Sequence, residues 1–240
     1  MCHATAIMRQ HIGIVACSSE GAALCYRTIC SEAAASLGNY AHPEVSMHTP
    51  SFADYVDCLE RGDWEAVGNL MLASAKKLAN IGADFLICPD NTIHQALPLV
   101  EPLSPKPWLH IAEVVAAEAA SKGFRRLGVT GTRWLVDSDV YPEKLAAHSI
   151  ECARPTNKQR DEINRIIMKE LVLGVFRPES VAYFRRVFDA MKEDGCDAVI
   201  LGCTEIPLIM NDSNSPLATL DSTRLLARAA VKHAVRSNET

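Results

Sequence analysis

The stretch IGADFLICPDNT (81–92) returns, altered but legible, as EDGCDAVILGCTE (193–205). Laid one on the other, Asp84 meets Asp197, Ile87 meets Ile200 and Asp90 meets Cys203, at a constant offset of 113 residues. A second pair, HIGIVACSS (11–19) and RLGVTGTRW (126–134), aligns Gly13 with Gly128 at an offset of 115. Two matches in the same order at nearly the same spacing mark an internal duplication. The 240 residues therefore divide into two similar halves of about 110 residues, a common domain size.

Each repeated stretch is a short apolar run closed by polar residues, and longer segments of helical spacing lie between the runs. GAALCYRTICSEAAASLG (21–38) is Ala-rich and stops at a glycine, GDWEAVGNLMLASAKKLANIG (62–82) carries apolar residues at helical intervals, and further helices fall at 157–173, 178–195 and near 223–235. Strand and helix in alternation predict an α/β fold with a mainly parallel sheet in each half. The fold class expected is thus α/β, with two pseudo-symmetric domains, each a parallel sheet flanked by helices.

Composition excludes several functions. The net charge of −5 and the lack of any basic block argue against a nucleic-acid partner. The opening MCHATAIMRQH has no apolar signal-peptide core, and no run of 18 apolar residues exists, so neither export nor a membrane is expected. Nine cysteines, odd in number and scattered, point to a reducing cytoplasm rather than a disulfide framework. None forms a CxxC pair and no HExxH accompanies them, so no metal site is expected.

Ligands of parallel α/β sheets bind beyond the carboxyl ends of the strands. There the first half offers Ser18 and Ser19, then Asp90, Asn91 and Thr92; the second offers Thr130 and Thr132, then Cys203, Thr204 and Glu205. If the halves face one another across a pseudo-twofold axis, Asp90 and Cys203 flank one cleft from opposite sides, a geometry for chemistry on both faces of a carbon. The hydroxyls and amides suit an α-carboxylate and the charge that develops on it, and Glu205 suits an ammonium or a helix cap. Plainer roles stand beside these. Asp90 also fits an Asx turn or cap, Cys203 a buried small hydrophobe, and the hydroxyls turn positions. His94 reads as a structural group or a bond across the site, and Cys88 as a core residue or a displaced thiol.

These residues carry a resemblance. ICPDNTIH (87–94), GTRW (131–134), RDEINRIIMKELVLGVF (160–176) and ILGCTEIPL (200–208) resemble the aspartate/glutamate racemase superfamily over essentially the whole chain. The resemblance implies a cofactor-independent isomerase in which two thiols, one per half, remove and return the α-proton of an amino acid. It also implies domains at 1–112 and 113–221, a C-terminal helix at 222–240 packing back on the first, and a homodimer. One position departs: the superfamily's first cysteine stands before Asn-Thr, where this chain has Pro89-Asp90-Asn91-Thr92. The loop SMHTPSF (46–52), where aspartate-type members carry a cation, offers only His48, and Glu170-Leu171-Val172 lacks a Lys found in some.

An ordinary aspartate, with a pKa of about 3.9, is a far weaker base than a thiolate of pKa about 8.5. Burial raises a catalytic carboxyl to about 6 or 7 and restores part of that strength. Cys203, preceding a step expected to open a helix, is predicted to be a stabilised thiolate. The reading is an amino-acid racemase moving the α-proton between Asp90 and Cys203 without metal or pyridoxal phosphate. A single-thiol decarboxylase or cis/trans isomerase of a small dicarboxylate is one rival, and a binding protein without chemistry another. The substrate itself is left open.

Overall fold

A computed structural model describes residues 9–235. Cys2, the start of the opening segment at 1–8 and the last five residues of the 222–240 segment lie outside the described residues. The chain forms two four-stranded sheets, β2-β1-β3-β4 and β6-β5-β7-β8, with all strands parallel. The first contains β1 (Ile12–Val15), β2 (Val45–His48), β3 (Phe85–Ile87) and β4 (Trp108–Leu109); the second contains β5 (Arg126–Thr130), β6 (Glu151–Ala153), β7 (Ala198–Leu201) and β8 (Ala218–Asp221). Helices cover the sheets, as expected of an α/β protein with two pseudo-symmetric domains.

The duplication extends to ladder register. Ile12 pairs with Phe85 in the first sheet and Leu127 with Ala198 in the second, which are the same positions at offsets of 115 and 113. The repeated aspartates have a common task. Asp84 accepts the His11 N–H at 2.8 Å and returns its own N–H to the His11 carbonyl at 2.8 Å. Asp197 accepts the N–H groups of Arg125 and Arg126 at 2.6 and 3.0 Å and donates to the Arg126 carbonyl at 2.9 Å. Each aspartate thereby locks the entry of the third strand to that of the first, which fixes where both strands end. The repeated glycines permit close packing, of Gly13 against its neighbouring strand β3 and of Gly128 against helix Pro178–Glu193. A Cβ on Gly13 would lie 2.7 Å from Leu86 Cδ2, and one on Gly128 would lie 2.5 Å from Met191 Sδ.

The central strands β1, β3 and β7 are buried along their whole length, and β5 along all but its first residue. Such uninterrupted apolar runs are what strands covered on both faces require. The four outer strands have two to four residues and mix Ser46, His48, Glu151 and Thr219 into partly exposed positions. They carry no strand pattern in sequence, and β2 lies inside what reads as a polar loop. Helix Asn157–Lys169 ends earlier than expected because Leu171–Leu173 tightens into a 3-10 turn closed by Gly174 at φ 72°.

The helix Ser222–Ala234 lies against the first half. Its Leu226, Ala227, Ala230, Val231 and Ala234 share one apolar cluster with Ile12, Ile14, Phe85 and Ile87. Its first residue reaches the other half, where Ser222 Oγ donates to the Leu201 carbonyl at 2.9 Å. One helix thus ties the end of β7 to the core under β1 and β3. Replacing Asp84 or Asp197 by Ala leaves backbone N–H groups without their acceptor, and each change is expected to lower stability by about 1–2 kcal/mol in urea unfolding. Substitution of neighbouring exposed carboxylates such as Asp194 should cost less than half as much.

Candidate active site

Parallel strands send their carboxyl ends to one edge, and here the two edges face each other. Side-chain hydrogen bonds close the seam, Gln95 Nε2 donating to the Trp134 carbonyl at 2.8 Å among them. Ser18 Oγ and Thr204 Oγ1 lie 3.0 Å apart, Thr92 Oγ1 and Thr132 Oγ1 2.9 Å apart, Tyr141 donates to Asn91 Oδ1 at 2.6 Å, and Asn91 Nδ2 donates to Ser222 Oγ at 3.0 Å. The hydroxyl pairs are crossed. The end of β1 meets the end of β7, and the end of β3 meets the end of β5, as a pseudo-twofold relation requires.

Between them lies a narrow cleft lined from both halves. Its floor is polar and comes from both halves: Cys17, Ser18, Asp90, Asn91 and Thr92 face Thr132, Gly202, Cys203, Thr204 and Glu205. Its walls are apolar, from helix Phe52–Arg61 on one side and helix Asn157–Lys169 on the other. Gly202 is required at the floor, since a Cβ there would stand 2.5 Å from the Thr130 carbonyl oxygen.

Of the positions singled out from sequence, Asp90, Asn91, Thr92, Ser18, Thr132, Cys203, Thr204 and Glu205 converge on this cleft. Two do not line it. Ser19 opens helix Ser19–Glu32 on the exposed surface, and Thr130 is buried with its hydroxyl donating to the Ile200 carbonyl at 2.8 Å, a link between strands. Among the described residues, no group of three or more His, Cys, Asp or Glu is placed to hold a metal ion.

Asp90 has both of its expected roles available. Oδ1 accepts from Thr92 N–H at 2.9 Å and Ile93 N–H at 3.3 Å, capping the 3-10 turn Thr92–Ala96, while the carboxyl group stays partly exposed to the cleft. Burial, then the nearby Glu205 charge, pushes its pKa up to about 6, against the pull of the N–H donors and the Cys17 thiol. His94 holds the turn from behind. Its Nδ1 donates to the Asp90 carbonyl at 2.7 Å, its Nε2 accepts the Ile111 N–H at 3.4 Å, and burial keeps it neutral with a pKa of about 3. His94 is therefore a structural group. Cys88 is fully buried in the core, its thiol 3.7 Å from the same carbonyl. His48 turns away to Ser74 and Lys77.

Cys203 differs from expectation. Rather than sitting as a thiolate at a helix start, its thiol donates to Glu205 Oε2 at 3.0 Å, and only the single turn Ile206–Leu208 follows. Burial first, then the charge and hydrogen bond of Glu205, drives its pKa well above the ordinary value. The resting group is a thiol. Thr204 also gives its proton to Glu205 Oε2, at 2.7 Å, so Ser18 is the donor in the Ser18–Thr204 pair and a polarised chain runs across the seam.

Cys17 joins the site without having been singled out in the sequence. Ile14 and Ile87 are partners in the β1–β3 ladder, so Cys17 and Asp90 each stand three residues beyond that pair. Burial, followed by the Asp90 charge, keeps Cys17 protonated, and the thiol beside Asp90 helps to hold that carboxyl down. The cleft thus holds a thiol–carboxyl pair in each half, Cys17–Asp90 and Cys203–Glu205.

Residues 12–230 match the model of the Asp/Glu/Hydantoin racemase family. The chain is similar to the broad specificity amino-acid racemase RacX of Bacillus subtilis (strain 168), 23% identical over 197 residues, covering 80% of this chain and 82% of that protein. A Yersinia pestis structure described as a candidate Asp/Glu racemase superposes with a TM-score of 0.86 at 29% identity, covering 95% of this chain and all of that one. An aspartate racemase homologue from Pyrococcus horikoshii OT3 gives a TM-score of 0.81 at 25% identity, with 95% and 100% covered.

The raised pKa of Asp90 ties stability to pH. The folded protein holds this proton more tightly than the unfolded chain, so the associated stability is fully present below about pH 4 and lost as pH rises through about 6. Asp90→Asn preserves the cap and removes the buried charge. It should match the parent at pH 4 and exceed it by about 1–3 kcal/mol at pH 8 in chemical unfolding. Cys17→Ala withdraws a donor and should raise the Asp90 pKa further, as read from its carboxyl carbon by NMR.

Proposed function

The chain belongs to the Asp/Glu/hydantoin racemase family and is an isomerase, and we propose that it is an amino-acid racemase whose α-proton passes between Asp90 and Cys203 in the cleft between its halves. The observation that supports this most is the disposition of protons. The two groups stand at equivalent strand ends of opposite halves, one with a pKa near 6 and the other held as a thiol. At neutral pH one side is ready to accept a proton and the other ready to give one, which is what inversion at a carbon needs.

In this reading Asp90 removes the α-proton of one enantiomer, and the C–H electron pair passes into the α-carboxylate as an enediolate. The one hydroxyl proton left free by the Thr92–Thr132 pair, with N–H groups beyond the strand ends, holds the carboxylate oxygens as that charge grows, while the Thr204 proton stays directed at Glu205. Cys203 then delivers its proton to the opposite face of Cα. The enzyme is left with Asp90 protonated and Cys203 as thiolate, and it resets by running the other enantiomer backward or by exchanging protons with water. Glu205 beside Cys203 opposes the thiolate, so the two directions differ in pH dependence. All of these steps use the chain's own side chains.

The proposal extends to the organisation of the molecule: first domain 1–112, second domain 113–221, and 222–240 returning to the first, in a cytoplasmic homodimer. Free thiols at the described cysteines suit a reducing compartment.

Incubation of each enantiomer in D₂O tests the chemistry. Deuterium should enter Cα with loss of optical activity, and kcat/KM for the enantiomer whose hydrogen faces Asp90 should fall about tenfold per pH unit below 6. Cys203→Ala and Asp90→Asn should each lower racemisation by about 100-fold or more. Full turnover by Cys203→Ala overturns the assignment. Carbon dioxide release or cis/trans change without inversion at Cα identifies single-thiol chemistry instead.

A further inference from the structure

The geometry points to an α-amino acid with a neutral, apolar side chain as the substrate, rather than an acidic one; this rests on the racemase reading above. The charge inventory of the cleft comes first. Two carboxyl groups, Asp90 and Glu205, lie in its floor, and among the described residues no Lys, Arg or His lines it. Both groups favour a substrate ammonium and oppose any carboxylate beyond the α-carboxylate. An acidic amino acid brings a second carboxylate into a site that offers it no cation, and an unpaired charge taken from water is costly.

The walls supply the positive half of the selection. Phe52, Val56 and Leu59 project from one half, and Trp134, Met168 and Val172 from the other. These six surround the mouth side of the cleft with aliphatic, thioether and aromatic surface, the complement of an apolar side chain. Met168 adapts to ligands of different shape because its thioether is unbranched and flexible.

Cations near the site are committed elsewhere. His48 is hydrogen-bonded to Ser74 Oγ and to Lys77 Nζ, each at 2.9 Å, and neither His48 nor Lys77 lines the cleft. His94 is buried, neutral and bound to backbone at both nitrogens. Arg133 stacks its guanidinium on the outer side of this group, 4.8 Å from the Trp134 ring centroid, and is exposed. Its contact with a wall residue puts it in the test.

Cα exchange in D₂O, followed by proton NMR with both enantiomers of leucine, methionine, phenylalanine, aspartate and glutamate, decides the matter. The apolar set is expected to exceed the acidic pair in kcat/KM by at least about 100-fold. Equal or faster exchange of aspartate or glutamate overturns the inference. Met168→Lys places a cation in the apolar wall and should move the leucine-to-aspartate ratio toward aspartate by at least tenfold, whereas Met168→Leu should leave it unchanged. A ratio unaltered by Met168→Lys in a folded protein overturns the wall assignment. Arg133→Ala should also leave the ratio in place; loss of aspartate turnover with it shows a cation reaching the substrate and counts against the inference. If no amino acid exchanges, the racemase reading fails, and calorimetry on the wild-type protein judges the cleft alone. Leucine or phenylalanine binding at least tenfold tighter than aspartate sustains the class, and any other order, or no binding, overturns it.

Discussion

Every strand in both sheets runs parallel, so each half delivers all its strand ends to a single edge, and the site exists because two such edges meet. The rest follows from that constraint. Loops beyond the strand ends are free of ladder hydrogen bonds, and they carry the polar residues. Asp84 and Asp197 fix strand entry, which sets the height at which Asp90 and Cys203 emerge three residues past Ile87 and Ile200.

Putting two carboxyl groups into one water-poor cleft gives the site its proton arrangement. Asp90 is raised by burial and by Glu205, yet its two N–H donors and the Cys17 thiol hold it near 6. At Cys203 burial and Glu205, which accepts its proton, outweigh the backbone N–H donor, so it stays a thiol. A carboxyl group on one side and a thiol on the other make the two sides of the cleft unequal in acid strength. Cys17 moderates that asymmetry from the adjacent strand end.

The central strands and the internal echo are legible in the sequence, because buried strands leave uninterrupted apolar runs and a duplication leaves paired spacings. Edge strands are not, since two to four half-exposed residues such as those around His48 or Glu151 carry no period. Ser19 and Thr130 show the limit of reading strand ends by composition. One residue of difference along a strand or helix start turns a hydroxyl outward to solvent or inward to a neighbouring carbonyl. The state of Cys203 was equally hidden, as it depends on Glu205 folding back toward a thiol two positions earlier.

By itself, then, the sequence determined two α/β halves, the residue types at each strand end and a family resemblance, because these are recorded in local pattern and in repeats. Tertiary structure alone decided which polar groups share a cleft, that Cys17 pairs with Asp90, where the protons reside and that the walls are apolar. Those properties depend on distances between residues such as Phe52 and Met168, far apart in the chain and adjacent only after the two sheet edges close on each other.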